Sequence, residues 1–142
     1  MAEGLAEGDG GRHLITFHPT GGQGSAEHFH RDQWLDFNMR QNGHSLDFTE
    51  RYHRTVIDYG LAPTKPVIDA EPAYEDIPEN FAGPKRGFAI AADIRRTFYW
   101  NVFSGAFGHA YGHNAVWQMA APGRPANHSP LMDWRSALEQ PG

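Results

Sequence analysis

The chain reads as an α/β protein built on a parallel sheet, and three observations carry that reading. Short apolar runs alternate with amphipathic helical runs, and such alternation lays strands side by side and returns the chain through crossover helices. The runs read as strands are short and apolar, as strands buried on both faces are. No repeat and no linker divides the 142 residues, a length that suits one domain.

Glu3 to Glu7 reads as the end of a helix, stopped by the turn Gly8-Asp9-Gly10-Gly11. Leu14-Ile15-Thr16-Phe17 reads as a strand that stops at His18-Pro19. Thr20 to Ser25 is a glycine-rich loop, and Phe37-Asn38-Met39 a second strand. Asp47 to Tyr59 reads as a helix: Asp47 and Glu50 have capping-box spacing, Phe48 and Tyr52 lie four apart, and Gly60 supplies the stop. Pro66 to Glu71 is the third strand. A loop rich in proline, glycine and acids follows to Pro84. A helix then spans about Ala91 to Ser104, with Ile90, Ile94 and Phe98 at helical spacing. Phe107 to His113 alternates large with small residues, as a strand with one small face does, and that face would let a helix pack closely over it. A last helix begins near Met132.

The stretch from Pro66 to Pro72 is the most informative. Two prolines bracket a short apolar strand, so Glu71 is its last residue before the turn. Strand side chains alternate between faces, which puts Val67, Asp69 and Glu71 on one face and Ile68 and Ala70 on the other. A carboxylate on the inner face, at the C-terminal end of a buried strand, stands where a (β/α)8 barrel keeps its chemistry. The bland alternative is a surface turn carrying two solvated acids.

Composition narrows the function. A net charge of -5 gives no basic footprint for nucleic acid, and no apolar run has the length of a membrane span. Without cysteine there is no disulfide or thiol chemistry. The 4 Trp, 9 Phe and 9 His suit a carbohydrate cleft, where rings stack on sugars and polar tips hold hydroxyls, although a core also consumes aromatics.

Taken in order, several segments resemble the apiosidase-like glycoside hydrolases, a family with a TIM-barrel catalytic domain. They are Ala2 to Asp9, His13 to Pro19, Trp34 to Met39, Gln41 to His44, Lys65 to Asp76, Asp93 to Arg96, Phe103 to His113, and Trp117-Gln118. The resemblance spans nearly the whole chain and implies part of a (β/α)8 barrel, about strands five to eight with their helices. Leu14 to Phe17 would be strand five, the Phe37 region strand six, Pro66 to Glu71 strand seven and Phe107 to His113 strand eight. The N-terminal half of the same barrel, with the partner carboxylate of Glu71, would then lie upstream, and this chain alone would be inactive. The intact parent would be a glycosidase of plant-type polysaccharide, expected to be exported.

Glycoside cleavage uses two carboxyl groups across the scissile bond, about 5–5.5 Å apart when one is a nucleophile. Glu71 is the expected nucleophile of a retaining reaction. Glu75, four residues on, is its rival, more suited to binding a hydroxyl or a basic neighbour. Asp69 reads as a buried acid that orients a neighbour. Candidate carbohydrate-binding residues are His18 at the end of strand five, Gln41 and His44 after strand six, Tyr111 and His113 on strand eight, and Trp117 in the loop beyond. Each has a structural alternative: a satisfied histidine, a rim contact or a packing tryptophan. No cofactor is expected, and no metal. His109 and His113 lie four apart in what reads as strand, roughly 13 Å, too far to share one ion. His28 and His30 are spaced for a cupin-type site but lack a following glutamate. Thr20 to Gly24 lacks the Lys-Ser/Thr of a phosphate loop. The competing functions are a non-catalytic carbohydrate-binding module and a metal-binding cupin-like domain.

Overall fold

The computed structural model describes residues 1–45, 49–82 and 87–142. Helix α1 (Ala2–Asp9) closes on Gly10 in the left-handed conformation. The short strand β1 (Gln23–Gly24) and the single-turn helix α2 (Ala26–Phe29) follow. Two β-α-β units then share one strand: β2 (Asn38–Gln41), α3 (Thr49–Tyr59), β3 (Val67–Asp69), α4 (Ala91–Phe103) and β4 (Gly108–His109). Helices α5 (Asn114–Trp117) and α6 (Trp134–Ala137) end the chain. The sheet order is β1-β2-β3-β4. β2, β3 and β4 are parallel, as the alternation implies, and β1 adds an antiparallel edge.

Several expectations change. Residues 14–17 form no strand: the segment shares one backbone bond with its neighbour, Asp36 N to Ile15 O at 2.9 Å. Its other ties are side-chain bonds, Ile15 N to Asp36 Oδ2 and Thr16 Oγ1 to Phe37 O. A ladder needs repeated backbone pairs, and none develops before Pro19. The glycine-rich loop contains β1, paired through Gly24 to Arg40. Strand character in the last run stops at His109. Beyond it, His113 makes a single bridge to Glu75 and then caps α5, so Trp117 ends a helix. Asp47 and Phe48, read as helix-capping and helix-pairing residues, lie outside the described residues.

The faces also differ. In register, Arg40 lies beside Asp69 and Asp69 beside His109, and all three point at the helices. The carboxylate of Asp69 accepts from Asn42 Nδ2 and from Asn101 Nδ2 of α4, both at 2.9 Å. Asp69 is thus the buried orienting acid expected, but it does not share a site face with Glu71. β3 has ended by then, and strand alternation does not continue into the turn. The small face of the last strand is likewise not the helix face. α4 packs over His109, through Asn101 Nδ2 at 3.1 Å and the Phe98 ring. Gly108 faces Ile68, where a Cβ would come within 3.2 Å of its side chain, and Gly112 makes room for the Tyr74 ring.

The helix–sheet seam is polar. Arg51, Thr55 and Asp58 of α3 are buried, while Val56 and Ile57 are exposed. On α4 the buried stripe is Ile94, Thr97 and Asn101, and Ile90 and Phe98 of the expected apolar stripe stay exposed. Arg40 makes a two-pronged pair with Asp58, at 2.7 and 2.6 Å. Asn101 uses its whole amide: its oxygen accepts from Thr55 at 2.8 Å and its nitrogen serves Asp69 and His109. Buried polar groups cost free energy unless hydrogen-bonded; the bonds above offset that cost in this seam, while Asp69 Oδ1 and His109 Nε2 stay without a hydrogen-bond partner among the described residues. Among the described residues, buried apolar side chains gather in two small clusters, Ala73, Ile77, Ala89 and Ile94 beside Tyr74, and Ala115, Ala120 and Ala137 beside Val116 and Met132. No helix among the described residues is long and apolar enough to cross a membrane.

Candidate active site

Glu71 emerges just past the C-terminal end of β3. The ladder's last bond there is Ala70 N to Arg40 O at 3.0 Å, and Gly43 N then ties the Glu71 carbonyl at 3.3 Å. Its two carboxylate oxygens meet two imidazoles. His44 Nε2 lies 3.3 Å from Oε1 and His18 Nε2 lies 3.1 Å from Oε2. Three residues that sequence reasoning drew from three separate segments therefore converge on one carboxylate.

The surrounding chain holds each imidazole. Gly43 adopts φ +75, which lets the chain turn after β2 without a Cβ penalty. Arg51 Nη2 donates to the carbonyls of Gly43 and Ser45, on either side of His44. Asn80 N donates to the His44 carbonyl at 3.1 Å. His44 Nδ1 accepts from Tyr74 N at 3.4 Å, so the proton of the neutral ring sits on Nε2 and faces Glu71. On His18, Nδ1 lies 2.9 Å from the Pro19 carbonyl and donates to it. Burial pushes His44 below its ordinary value, and Glu71 only partly offsets this. Burial, and then the Glu71 charge, push the Tyr74 phenol up. Two rings pack on His44 edge-on, Tyr74 and Phe81, both at 4.8 Å.

Glu75 and Tyr111 form a second group. Tyr111 OH donates to Glu75 Oε2 at 2.8 Å, and burial followed by Glu75 raises the phenol's pKa. Glu75 is buried and its carboxylate is engaged there. His113 is buried as the cap of α5, with Nδ1 accepting from Ala115 N at 3.0 Å and Nε2 3.5 Å from Asp76 Oδ2. Burial raises the pKa of Asp76. Gln41 ends β2 on the face opposite the helices, against Gly21. Trp117 stands 6.4 Å from His128, whose ring in turn lies 4.3 Å from Phe81. Sequence reasoning missed Tyr74, Phe81 and His128. Tyr74 had a signal, three residues past Glu71 in one motif, and the other two had none.

Among the described residues, no group of three His, Asp or Glu is placed to hold a metal. His28 sits in α2 and His30 follows it, so their strand-like spacing is helical in fact. Their rings part, to Gln23 and to Asn38.

The buried histidines set an acid limit on stability. Burial depresses His44, His109 and His113 below 6.5. Below 6.5 the unfolded chain takes up protons that the folded chain refuses, so stability falls as pH falls through that value toward the folded ones. Asp69 and Asp76 act in the opposite sense. Raised above 3.8 by burial, they favour the folded chain at low pH and lose that contribution as pH rises through their folded values. The melting temperature should therefore drop on acidification from neutrality, and less steeply in His109→Gln. A slope unchanged by that substitution would refute the assignment.

The whole chain, residues 1–142, matches the family described as apiosidase-like, catalytic domain. Two solved structures superpose closely. One, described as a glycoside hydrolase, is 37% identical with a TM-score of 0.90; the match covers 99% of this chain and 36% of that one. The other is described as a glycoside hydrolase family 5 protein from Bacteroides vulgatus ATCC 8482. It is 41% identical with a TM-score of 0.92, covering 99% of this chain and 33% of that one. The chain thus spans about a third of the length of these structures. No curated protein matches it.

Proposed function

Since the chain belongs to the apiosidase-like catalytic-domain family, we propose that it forms the C-terminal half of a (β/α)8 glycosidase barrel acting on O-glycosidic bonds of a plant-type polysaccharide. Glu71 is the carboxylate nucleophile of a retaining reaction. It attacks the anomeric carbon while a second carboxyl group, from barrel strands outside this sequence, protonates the leaving oxygen. The water that later releases the sugar is deprotonated by that same partner.

One observation supports this reading above the others. Glu71 stands at the C-terminal end of a parallel strand with each of its oxygens facing an imidazole, and that end of a barrel is where chemistry resides. His44, neutral with its proton on Nε2, orients the carboxylate. Glu75 is the weaker nucleophile candidate because Tyr111 already occupies its oxygen.

The test uses the longer protein that contains these residues. Release of reducing sugar from a panel of plant polysaccharides is the expected activity. An activated 2-deoxy-2-fluoro glycoside of the released sugar should then label Glu71 covalently, as read by peptide mass. No release from any polysaccharide would sink the enzyme reading and favour a binding module. A label on Glu75 would move the nucleophile.

A further inference from the structure

A row of rings leads away from Glu71. His44 touches its carboxylate, Phe81 lies 4.8 Å from His44, His128 4.3 Å from Phe81, and Trp117 6.4 Å from His128. The last three planes are only moderately tilted, 34° between Phe81 and His128 and 37° between His128 and Trp117. Phe81 and Trp117 are 47% and 48% exposed, so neither spends its ring on the core.

The backbone that presents these rings is unusual. Phe81 has φ 58 and His128 φ 56, a left-handed conformation that is costly for a side chain as bulky as phenylalanine. The surroundings hold it there. Phe81 N donates to Pro78 O at 2.9 Å, and its neighbour Asn80 is tied to the His44 carbonyl. Fully buried Asn114 donates to the His128 carbonyl at 2.9 Å. Gln118 donates to Asn127 O at 3.0 Å and accepts from Asn127 N at 2.7 Å. Buried and half-buried amides are thus committed to fixing two loops whose visible product is an exposed Phe81 ring laid against a half-buried His128. Rigid rings cost little ordering entropy on binding.

We propose that Phe81, His128 and Trp117 form a stacking platform for a second sugar ring, covalently continuous with the sugar held at Glu71. The preferred substrate is then an oligosaccharide chain and not a terminal monosaccharide alone. The inference rests on the carbohydrate reading of the Glu71 site and adds the length of its ligand. The Phe81 and His128 rings lie against each other at 4.3 Å, so a ligand meets the outer side of that pair and the neighbouring Trp117: apolar ring surface for C–H groups, with indole and imidazole nitrogens to serve hydroxyls. Its continuity with His44 is what joins it to the reacting bond.

The experiment measures binding, so that it does not depend on cleavage. The longer protein carrying Glu71→Gln is titrated with oligosaccharides of pectin, xylan and mannan, and with their component monosaccharides. Calorimetry and tryptophan fluorescence report affinity. Phe81→Ala and His128→Ala should each weaken oligosaccharide binding about tenfold, the size of one lost ring contact, and leave monosaccharide binding unchanged. Phe81→Tyr, which keeps a ring, should restore affinity and serves as the check on folding. Equal weakening for both ligand lengths overturns the proposal. So does no weakening, which is also the result if another part of the protein covers these rings, and so does failure to bind any of the oligosaccharides. Length-dependent binding without turnover by the Glu71 enzyme would sink the glycosidase reading and leave this one standing.

Discussion

In the proposed full barrel, Glu71→Gln should lower turnover by about 10³-fold or more while substrate still binds, because it removes the proposed nucleophile and leaves its neighbours in place. The amide matches the carboxylate in size. Its oxygen still accepts from His44 Nε2, and its nitrogen takes the place of the oxygen that faces His18 Nε2. The carbonyl of residue 71 keeps its bond from Gly43 whatever the side chain. Folding and binding are therefore expected to survive. Glu71→Ala with added azide should regain turnover and yield the glycosyl azide of inverted configuration, because the small anion fills the space of the lost carboxylate. Glu75→Gln should cost about tenfold or less, since its bond to Tyr111 survives the exchange. Near-normal turnover in Glu71→Gln, or a larger loss in Glu75→Gln, would remove Glu71 from the reaction.

How much of this site was legible depends on which signal each residue left in the chain. Glu71 could be placed because Pro66 and Pro72 bracket β3, and proline marks strand ends without tertiary help. His18 and His44 could be placed because each follows a short apolar run. β2, α3 and α4 followed from periodicity within one or two residues of their ends. The run at 14–17 looked no different from β2, yet it is no strand. What a strand needs beyond its own residues is a partner, and its neighbour at 36–37 offers only one ladder bond.

The faces were harder. Alternation was carried through Glu71, but the strand stops at Asp69, and two turn residues are enough to lose the parity. The polar seam left no signal at all. Arg40, Asp58, Thr55 and Asn101 are residue types that usually sit in water, and only tertiary pairing turns them into interior groups. Phe81 and His128 were invisible for a related reason: their placement depends on left-handed turns that no glycine announces.

That polar seam supports the second large expectation. Arg40→Met should destabilise the chain by about 3–5 kcal/mol, the cost of leaving one member of a buried pair alone. The side chains of Arg40 and Asp58 are 5% and 1% exposed, so water cannot replace either partner. Glu27 also reaches Arg40, at 2.8 Å, but its side chain is 43% exposed. Glu27→Gln should accordingly cost under about 1 kcal/mol. Gly24 belongs to the same unit, since a Cβ there would meet the guanidinium carbon at 2.8 Å. A loss of 3–5 kcal/mol is a large part of the total stability of a typical domain, about 5–15 kcal/mol, so Arg40→Met is expected to populate the unfolded chain. The decisive variant is then the double substitution Arg40→Met with Asp58→Leu, which removes both charges and should recover most of the loss. Denaturant midpoints read at constant slope measure all three. If the double variant is no more stable than Arg40→Met, the cost lies in packing around the arginine stem and not in the stranded Asp58 carboxylate. β2 runs from Arg40 directly into the turn that carries His44, so the seam also bears on chemistry. In the proposed full barrel, a variant that keeps the fold by removing both charges should keep the His44–Glu71 contact, and with it the proposed turnover.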